Sequence, residues 1–214
     1  MTLKIEEYTE AFTTFQDDTL AAIERWAHLH TAQPQMVCGP YQGQLLTMLC
    51  RSSHARCAVE VGAFVGYSTV CMARGLDSVA MLHSFEVNEE YETVIRRHLA
   101  MAKVSDRVIL HIGDAKQLIP SLFSDDSDSI DIAFIDADKR HTKDYYDLLV
   151  PRMRRGGLVI VDNVLWGRKV LDLEQNKDSD TRCMHAFNEY VQADKRVENI
   201  LLNVRDGLLI CSVL

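Results

Sequence analysis

Apolar and polar positions change period several times along the chain, and each change marks an element. Over the first thirty residues Tyr8, Phe12, Phe15, Leu20, Ile23 and Trp26 recur at nearly helical spacing, which predicts one amphipathic helix broken at Gln33-Pro34. A second helix is expected at 43–51. Short apolar runs then alternate with helical stripes. Strands are expected at 57–61, 81–86, 107–112, 130–135 and 157–161. Helices are expected at 89–103, 115–123, 142–154 and 181–193. The alternation predicts an α/β fold with a doubly wound, mostly parallel sheet covered by helices on both faces. Two further apolar runs, 197–203 and 208–213, flank Arg205-Asp206-Gly207 and read as an antiparallel hairpin, which brings the sheet to seven strands. The organisation expected is a single domain, with residues 1–52 as an N-terminal helical cap and 53–214 as the α/β core.

Composition narrows the class without naming it. With 214 residues, 47% of them hydrophobic, the chain is long enough and apolar enough for one full-sized core. No apolar run approaches the ~20 residues of a membrane span. The start, Met1-Thr2-Leu3-Lys4-Ile5-Glu6-Glu7, lacks the basic-then-apolar form of a signal peptide, so a cytoplasmic protein is expected. A net charge of -8 argues against a nucleic-acid-binding surface. Cysteines at 38, 50, 57, 71, 183 and 211 form no C-x-x-C pair, so buried thiols are expected instead of a zinc site or disulfide framework.

The most informative stretch is Val59-Glu60-Val61-Gly62-Ala63-Phe64-Val65-Gly66-Tyr67-Ser68-Thr69. It joins an apolar strand to a helix through two glycines, with an acid just ahead of the first. Gly62 allows close approach to the backbone, and Gly66 opens a helix whose free N–H groups can receive a carboxylate. Phe64 stands where the dinucleotide fingerprint has its second glycine. An acid with widely spaced glycines suits a nucleoside carrying an amino acid, which is S-adenosylmethionine. In doubly wound sheets ligands sit at the carboxyl ends of strands, where the strand order reverses. Glu86 ends the second strand and is the natural partner of two vicinal ribose hydroxyls. Glu60 and Ser68 are placed at the methionine end, and Ala115 with Asp114 at the adenine.

Asp136 ends one strongly apolar strand, and Asp162-Asn163 end the next. Adjacent strands lie about 4.8 Å apart, so these oxygen-bearing side chains can converge on one point. Two carboxylates and an amide are hard donors, suited to Mg²⁺, Mn²⁺ or Ca²⁺ and poorly suited to zinc. Trp166 is expected as a wall for a flat aromatic substrate, with a core tryptophan as the competing reading.

Met36-Val37-Cys38-Gly39, Gly43-Gln44-Leu45-Leu46, the glycine segment, Phe134-Ile135-Asp136-Ala137-Asp138-Lys139 and Val161-Asp162-Asn163-Val164-Leu165-Trp166 occur in an order that resembles one family. The chain, from about Met36 to its C-terminus, looks like the cation-dependent O-methyltransferases, the group of catechol and caffeoyl-CoA O-methyltransferases. The resemblance implies a methyltransferase sheet ending in an antiparallel hairpin and a metal on Asp136, Asp162 and Asn163. It implies further cofactor contacts from Val37, Cys38, Gly62, Asp136 and Asp138, and a homodimer. It also matches Lys139 to the lysine that approaches the substrate hydroxyl in catechol-type enzymes. Many members carry Thr where this chain has Val65, which removes a hydroxyl near the cofactor and leaves the turn possible.

The mechanism implied is chelation of two neighbouring substrate oxygens, with Asp136 and Lys139 as the catalytic pair and Lys139 taking the proton or stabilising the oxyanion. The acceptor expected is a small aromatic hydroxyl compound. Three other readings stay open: methylation of a hydroxylated tRNA base, a nucleotide-binding oxidoreductase, and a cofactor-binding protein without catalysis.

Overall fold

The structure, a computed structural model, describes residues 5–125 and 129–214. Met1-Thr2-Leu3-Lys4, part of the segment that argues against a signal peptide, lies outside the described residues. Strands β1 (Cys57–Val61), β2 (Met81–Glu86), β3 (Val108–Ile112), β4 (Ile130–Ile135), β5 (Met153–Asp162), β6 (Val197–Leu202) and β7 (Leu208–Val213) form one sheet in the order β3-β2-β1-β4-β5-β7-β6. β2 pairs with β3 in parallel, as β4 does with β5. β6 and β7 pair antiparallel, as the hairpin pattern predicts, and β7 is also antiparallel to β5, which places it between the two. The helices are α1 (Ile5–Ala11), α2 (Asp18–His30), α3 (Gly39–Ser52), α4 (Tyr67–Gly75), α5 (Glu92–Met101), α6 (Ala115–Leu122), α7 (Thr142–Leu149) and α8 (Ser179–Ala193). No helix among the described residues is long and apolar enough to cross a membrane.

The largest departures from expectation each have a local reason. The single N-terminal helix is two. Thr13 Oγ1 turns back to the Thr9 carbonyl at 2.7 Å, and the Asp17 carboxylate accepts from Leu20 N–H at 3.0 Å, starting a new helix. α3 starts at Gly39-Pro40, before the expected Gly43, because proline suits a first helical turn. The helix expected over 142–154 stops at Leu149, ahead of Pro151, and β5 begins at Met153 instead of Gly157. β5 carries a bulge there: Ile130 faces Met153 while Ile132 faces Leu158, and Gly156 takes φ 73° inside it.

The chain divides into two compact units. One runs up to Ala58 and continues over Ala63–Gly113. Its core includes Ile23, Leu46, Met72, Leu82, Phe85 and Ile95, all buried. The other comprises Val59–Gly62 and Asp114–Leu214, with Ile119, Ile132, Phe134, Tyr146, Ile160 and Met184 at its centre. The switch in strand order between β1 and β4 falls at the end of β1, inside the second unit.

Candidate active site

In the second unit, Ile135 pairs with Val161, so the next residues, Asp136 and Asp162, end their strands at the same level. Asp136 N–H donates to Val61 O at 2.9 Å and ties the end of β4 to the end of β1. A Cβ on Gly62 would lie 2.0 Å from the Asp136 carbonyl oxygen, and Gly62 has φ +100°. The protein's own backbone therefore requires that glycine, in addition to any ligand that approaches it.

Lys139 Nζ lies 3.0 Å from Asp136 Oδ1, and both side chains are mostly buried. Asp162 is buried, and its Oδ1 accepts the Asn163 N–H at 2.7 Å. Asn163 adopts φ 61°, Trp166 φ 46° and Arg168 φ 62°. Three non-glycine residues in the left-handed region within so short a loop concentrate strain beside the candidate metal ligands. The Trp166 Nε1 is buried with no hydrogen-bond partner among the described residues. Asp206 meets this loop from the β6–β7 turn, where its Oδ1 accepts Gly167 N–H at 2.6 Å and its backbone oxygen accepts Leu165 N–H at 2.9 Å. Burial pushes the Asp206 carboxyl up, against the opposing pull of the Gly167 N–H, the Lys139 charge and the Asn163 amide.

The donor set fits a hard cation. Among the described residues no group of three or more His, Cys, Asp or Glu is placed to hold a metal ion, so the candidate ligands are two carboxylates with one carboxamide. Two carboxylates and a carboxamide at neighbouring strand ends supply oxygen only. One of those oxygens, Asp136 Oδ1, already attracts a cationic nitrogen.

Asp138 and Asp114 are engaged locally. Asp114 caps α6, its Oδ1 accepting Lys116 N–H at 2.9 Å, and Ala115 beside it is buried. Asp138 Oδ1 meets His141 Nδ1 at 2.5 Å, while Oδ2 accepts from the Tyr145 hydroxyl at 3.2 Å. Burial, followed by the charge of Asp138, pushes the Tyr145 phenol well above its ordinary range, and Asp114 adds to the effect. Tyr145 is therefore close enough to feel both acids expected at the cofactor. Glu60, at the end of β1, is fully buried.

In the first unit Glu86 is 7% exposed, which rules out a merely solvated acid ahead of a helix. Its Oε2 accepts Phe64 N–H at 2.7 Å and its Oε1 accepts Asn88 N–H at 2.9 Å. Burial raises its pKa, and the backbone donors Asn88, Phe64 and Val87 pull it back. Phe64, at φ 50°, stacks edge-on against Tyr91 at 5.1 Å. Gly66, at φ 85°, starts α4, in which Ser68 is buried. Val37 and Cys38 are buried just ahead of α3. The expected cofactor residues are thus distributed over both units.

Asp206 and Tyr145 are absent from the residues expected from sequence. Asp206 reads there only as part of a turn, because Asp-Gly is a strong turn signal in any sequence. Tyr145 is hidden because Asp138 lies in extended backbone ahead of α7, so no helical spacing links the two.

Comparison with known proteins places this geometry. The catechol O-methyltransferase of Niastella koreensis is 28% identical over 200 residues, covering 94% of this chain and 90% of that protein. The caffeoyl-CoA O-methyltransferase of Stellaria longipes is 28% identical over 182 residues, covering 82% of this chain and 76% of that protein. The O-methyltransferase TomG of Streptomyces achromogenes, solved in complex with SAM, superposes with a TM-score of 0.86 at 28% identity, over 98% of this chain and 95% of that one. The O-methyltransferase family profile itself matches residues 10–214, and this chain belongs to the O-methyltransferase family.

Proposed function

We propose that this protein transfers a methyl group from S-adenosylmethionine to a hydroxyl of a small aromatic acceptor, catechol-like or caffeoyl-CoA-like, with the help of a divalent cation. Family membership supports methyl transfer to oxygen. The SAM complex of TomG and the names of the two relatives support the donor and the acceptor class. The observation that carries the cation is the level placement of Asp136 and Asp162 at the ends of paired strands, with Asn163 next in sequence.

Asp136, Asp162 and Asn163 would hold the ion, with Mg²⁺ proposed first and Mn²⁺ or Ca²⁺ as alternatives. A divalent ion bound there would supply the Lewis acidity that eases ionisation of a phenolic hydroxyl. Lys139, beside Asp136, receives the acceptor's proton or balances the charge left on its oxygen. Glu86, held by two backbone donors, accepts from the ribose hydroxyls with its remaining lone pairs. Glu60 and Ser68 serve the methionine end, and Asp114 with Ala115 serves the adenine. Val37, Cys38, Gly62 and Asp138 complete the cofactor's surroundings, and the Trp166 indole walls the acceptor ring. The residues' main task is alignment of acceptor oxygen and donor methyl, which supplies roughly 7–11 kcal/mol in well-oriented reactions. A homodimer is proposed on the family resemblance alone, and light scattering in solution measures it.

The test is a methyl-transfer screen of catechols, caffeoyl-CoA, flavonoids and tRNA, run with Mg²⁺ and again in EDTA. Label should enter an aromatic hydroxyl with Mg²⁺ and fail to do so in the chelator. Transfer to tRNA alone would replace the acceptor class, and full turnover in EDTA would remove the cation from the reading.

A further inference from the structure

Within the first unit, the turn Ala63–Gly66 ahead of α4 is held from several sides. Ala63 N–H donates to Phe85 O at 3.1 Å, Gly66 N–H closes the turn on Ala63 O at 2.7 Å, and Phe64 N–H donates to Glu86 Oε2 at 2.7 Å. The Val65 carbonyl needs a donor from elsewhere. The α4 ladder begins at the Gly66 carbonyl, which accepts Val70 N–H at 3.0 Å, so Val65 O falls one residue too early for a helical partner. Val65 is buried, where an unpaired carbonyl is costly. His98 supplies the donor, its Nδ1 lying 2.8 Å from Val65 O. A carbonyl only accepts, so Nδ1 carries the proton.

His98 is buried on a face of α5 that backs this turn. Ile95, three residues earlier on that face, lies against Gly66: a Cβ there would meet Ile95 Cγ2 at 3.4 Å and Ile95 Cα at 3.8 Å. The imidazole also stands edge-on to Trp26 of α2, with ring centroids 5.7 Å apart. The turn it meets is strained, since Phe64 has φ 50°. Such a conformation persists only where the surroundings over-determine it. Glu86 holds Phe64 by its N–H, and His98 holds the chain one residue further on. Carboxylate and imidazole therefore grip one turn from two elements, the end of β2 and α5.

We propose that His98 is a positioning residue for the cofactor: by pinning Val65 O it fixes the turn in the form that presents Phe64 N–H to Glu86, and so holds the Glu86 carboxylate in place for the ribose hydroxyls of S-adenosylmethionine. This rests on the ribose assignment of Glu86 above. It extends that assignment to a side chain on another element, which acts only through the turn. Without the imidazole donor, Phe64 is free to leave its left-handed conformation. Glu86 then keeps only one of the two backbone donors, Phe64 and Asn88, that orient its oxygens.

The experiment titrates S-adenosylmethionine calorimetrically into the parent and into two variants that separate hydrogen bonding from packing. In His98→Asn the amide nitrogen stands as many bonds from Cα as Nδ1 does, so the donor to Val65 O survives while contact with Trp26 is reduced. His98→Leu keeps apolar bulk against Trp26 and removes the donor. Affinity should fall by about 2–10-fold in the leucine variant and stay near the parent value in the asparagine variant. A residue that only packs would give the reverse order. Combined with Glu86→Ala, the leucine substitution should weaken binding little further, because residues acting through one turn are not additive. If Glu86→Ala weakens binding while His98→Leu leaves it at the parent value, the ribose assignment stands and this inference falls. The inference falls equally if the asparagine variant loses as much as the leucine variant, or if the losses of His98→Leu and Glu86→Ala add in full. If Glu86→Ala itself changes nothing, the ribose assignment falls and takes the inference with it. Should the leucine variant not fold, the asparagine variant decides alone: parent affinity supports the inference, and a loss equal to that of Glu86→Ala overturns it.

Discussion

Lys139 reaches back three residues to Asp136, placing its Nζ 3.0 Å from Oδ1 with the two side chains 14% and 20% exposed. At that burial the pair interacts more strongly than a surface ion pair, and either partner alone would be left with a poorly solvated charge. The lysine is therefore the protein's own counter-charge at the residue proposed to hold a divalent ion. A divalent ion bound there would compete with the ammonium for one carboxylate.

From this relationship Lys139→Met should give two separable effects. Turnover on weakly acidic catechols should fall by about 10²–10⁴, the usual contribution of a positioned proton acceptor, with cofactor affinity nearly intact. In the absence of metal the variant should also lose about 1 kcal/mol, and added Mg²⁺ should raise its thermal midpoint more than it raises the parent's. Parent turnover on poorly acidic acceptors would make the lysine a structural partner only.

Gly62→Ala tests the join between β1 and β4. The new methyl would stand 2.0 Å from the Asp136 carbonyl oxygen at a backbone φ of +100°, so both sterics and conformation oppose it. Urea denaturation should show a loss of about 2–4 kcal/mol. Any protein that does fold should bind Mn²⁺ more weakly, because the substitution must displace Asp136. A loss below about 0.5 kcal/mol would mean the strand ends are looser than this geometry requires.

Strands buried on both faces read as continuous apolar runs, and for that reason β4 and the end of β5 are visible in the chain itself. The same strands expose Asp136, Asp162 and Asn163 to sequence reasoning, since polar residues stand out at the end of an apolar run. Tyr8, Phe12 and Phe15 mislead, because spacing cannot separate a stripe facing the core from one facing solvent, and these three are exposed. The early start of β5 depends on a bulge opposite Ile130, a pairing that no local pattern encodes. Asp206 is hidden for a related reason: its turn chemistry is local, but its contacts with Leu165 and Gly167 are not.

Glu86→Ala should weaken S-adenosylmethionine binding by about 1.5–3 kcal/mol, the range of hydrogen bonds to a charged group. It also leaves the N–H groups of Phe64 and Asn88 without their carboxylate, so some local stability should go with it. Calorimetric titration separates the two effects if circular dichroism and the thermal midpoint are followed on the same samples. Unchanged affinity would take Glu86 out of the ribose assignment.

The last prediction concerns pH. His98 is buried, its Nδ1 2.8 Å from Val65 O and its ring edge-on to Trp26. His83 and His111 are half-buried, with Nδ1 and Nε2 3.0 Å apart, and His111 stacks on Phe85 at 4.6 Å. Burial is the first cause that lowers all three from 6.5, with the charge of His111 adding to the shift of His83. A histidine lowered in the fold binds fewer protons there than in the unfolded chain. Its contribution is therefore complete above about pH 6.5 and is lost as pH falls below that value, by at most about 1.4 kcal/mol per pH unit for each group. Glu86 acts in the opposite sense, since burial raises it from 4.5, so the fold regains a little as that carboxyl protonates at lower pH. The urea midpoint should then fall between about pH 6.5 and 5. His98→Gln keeps a donor for Val65 O but cannot titrate, and it should flatten that slope. An unaltered slope would mean that His98 binds its proton equally in both states, and that its burial does not govern its charge.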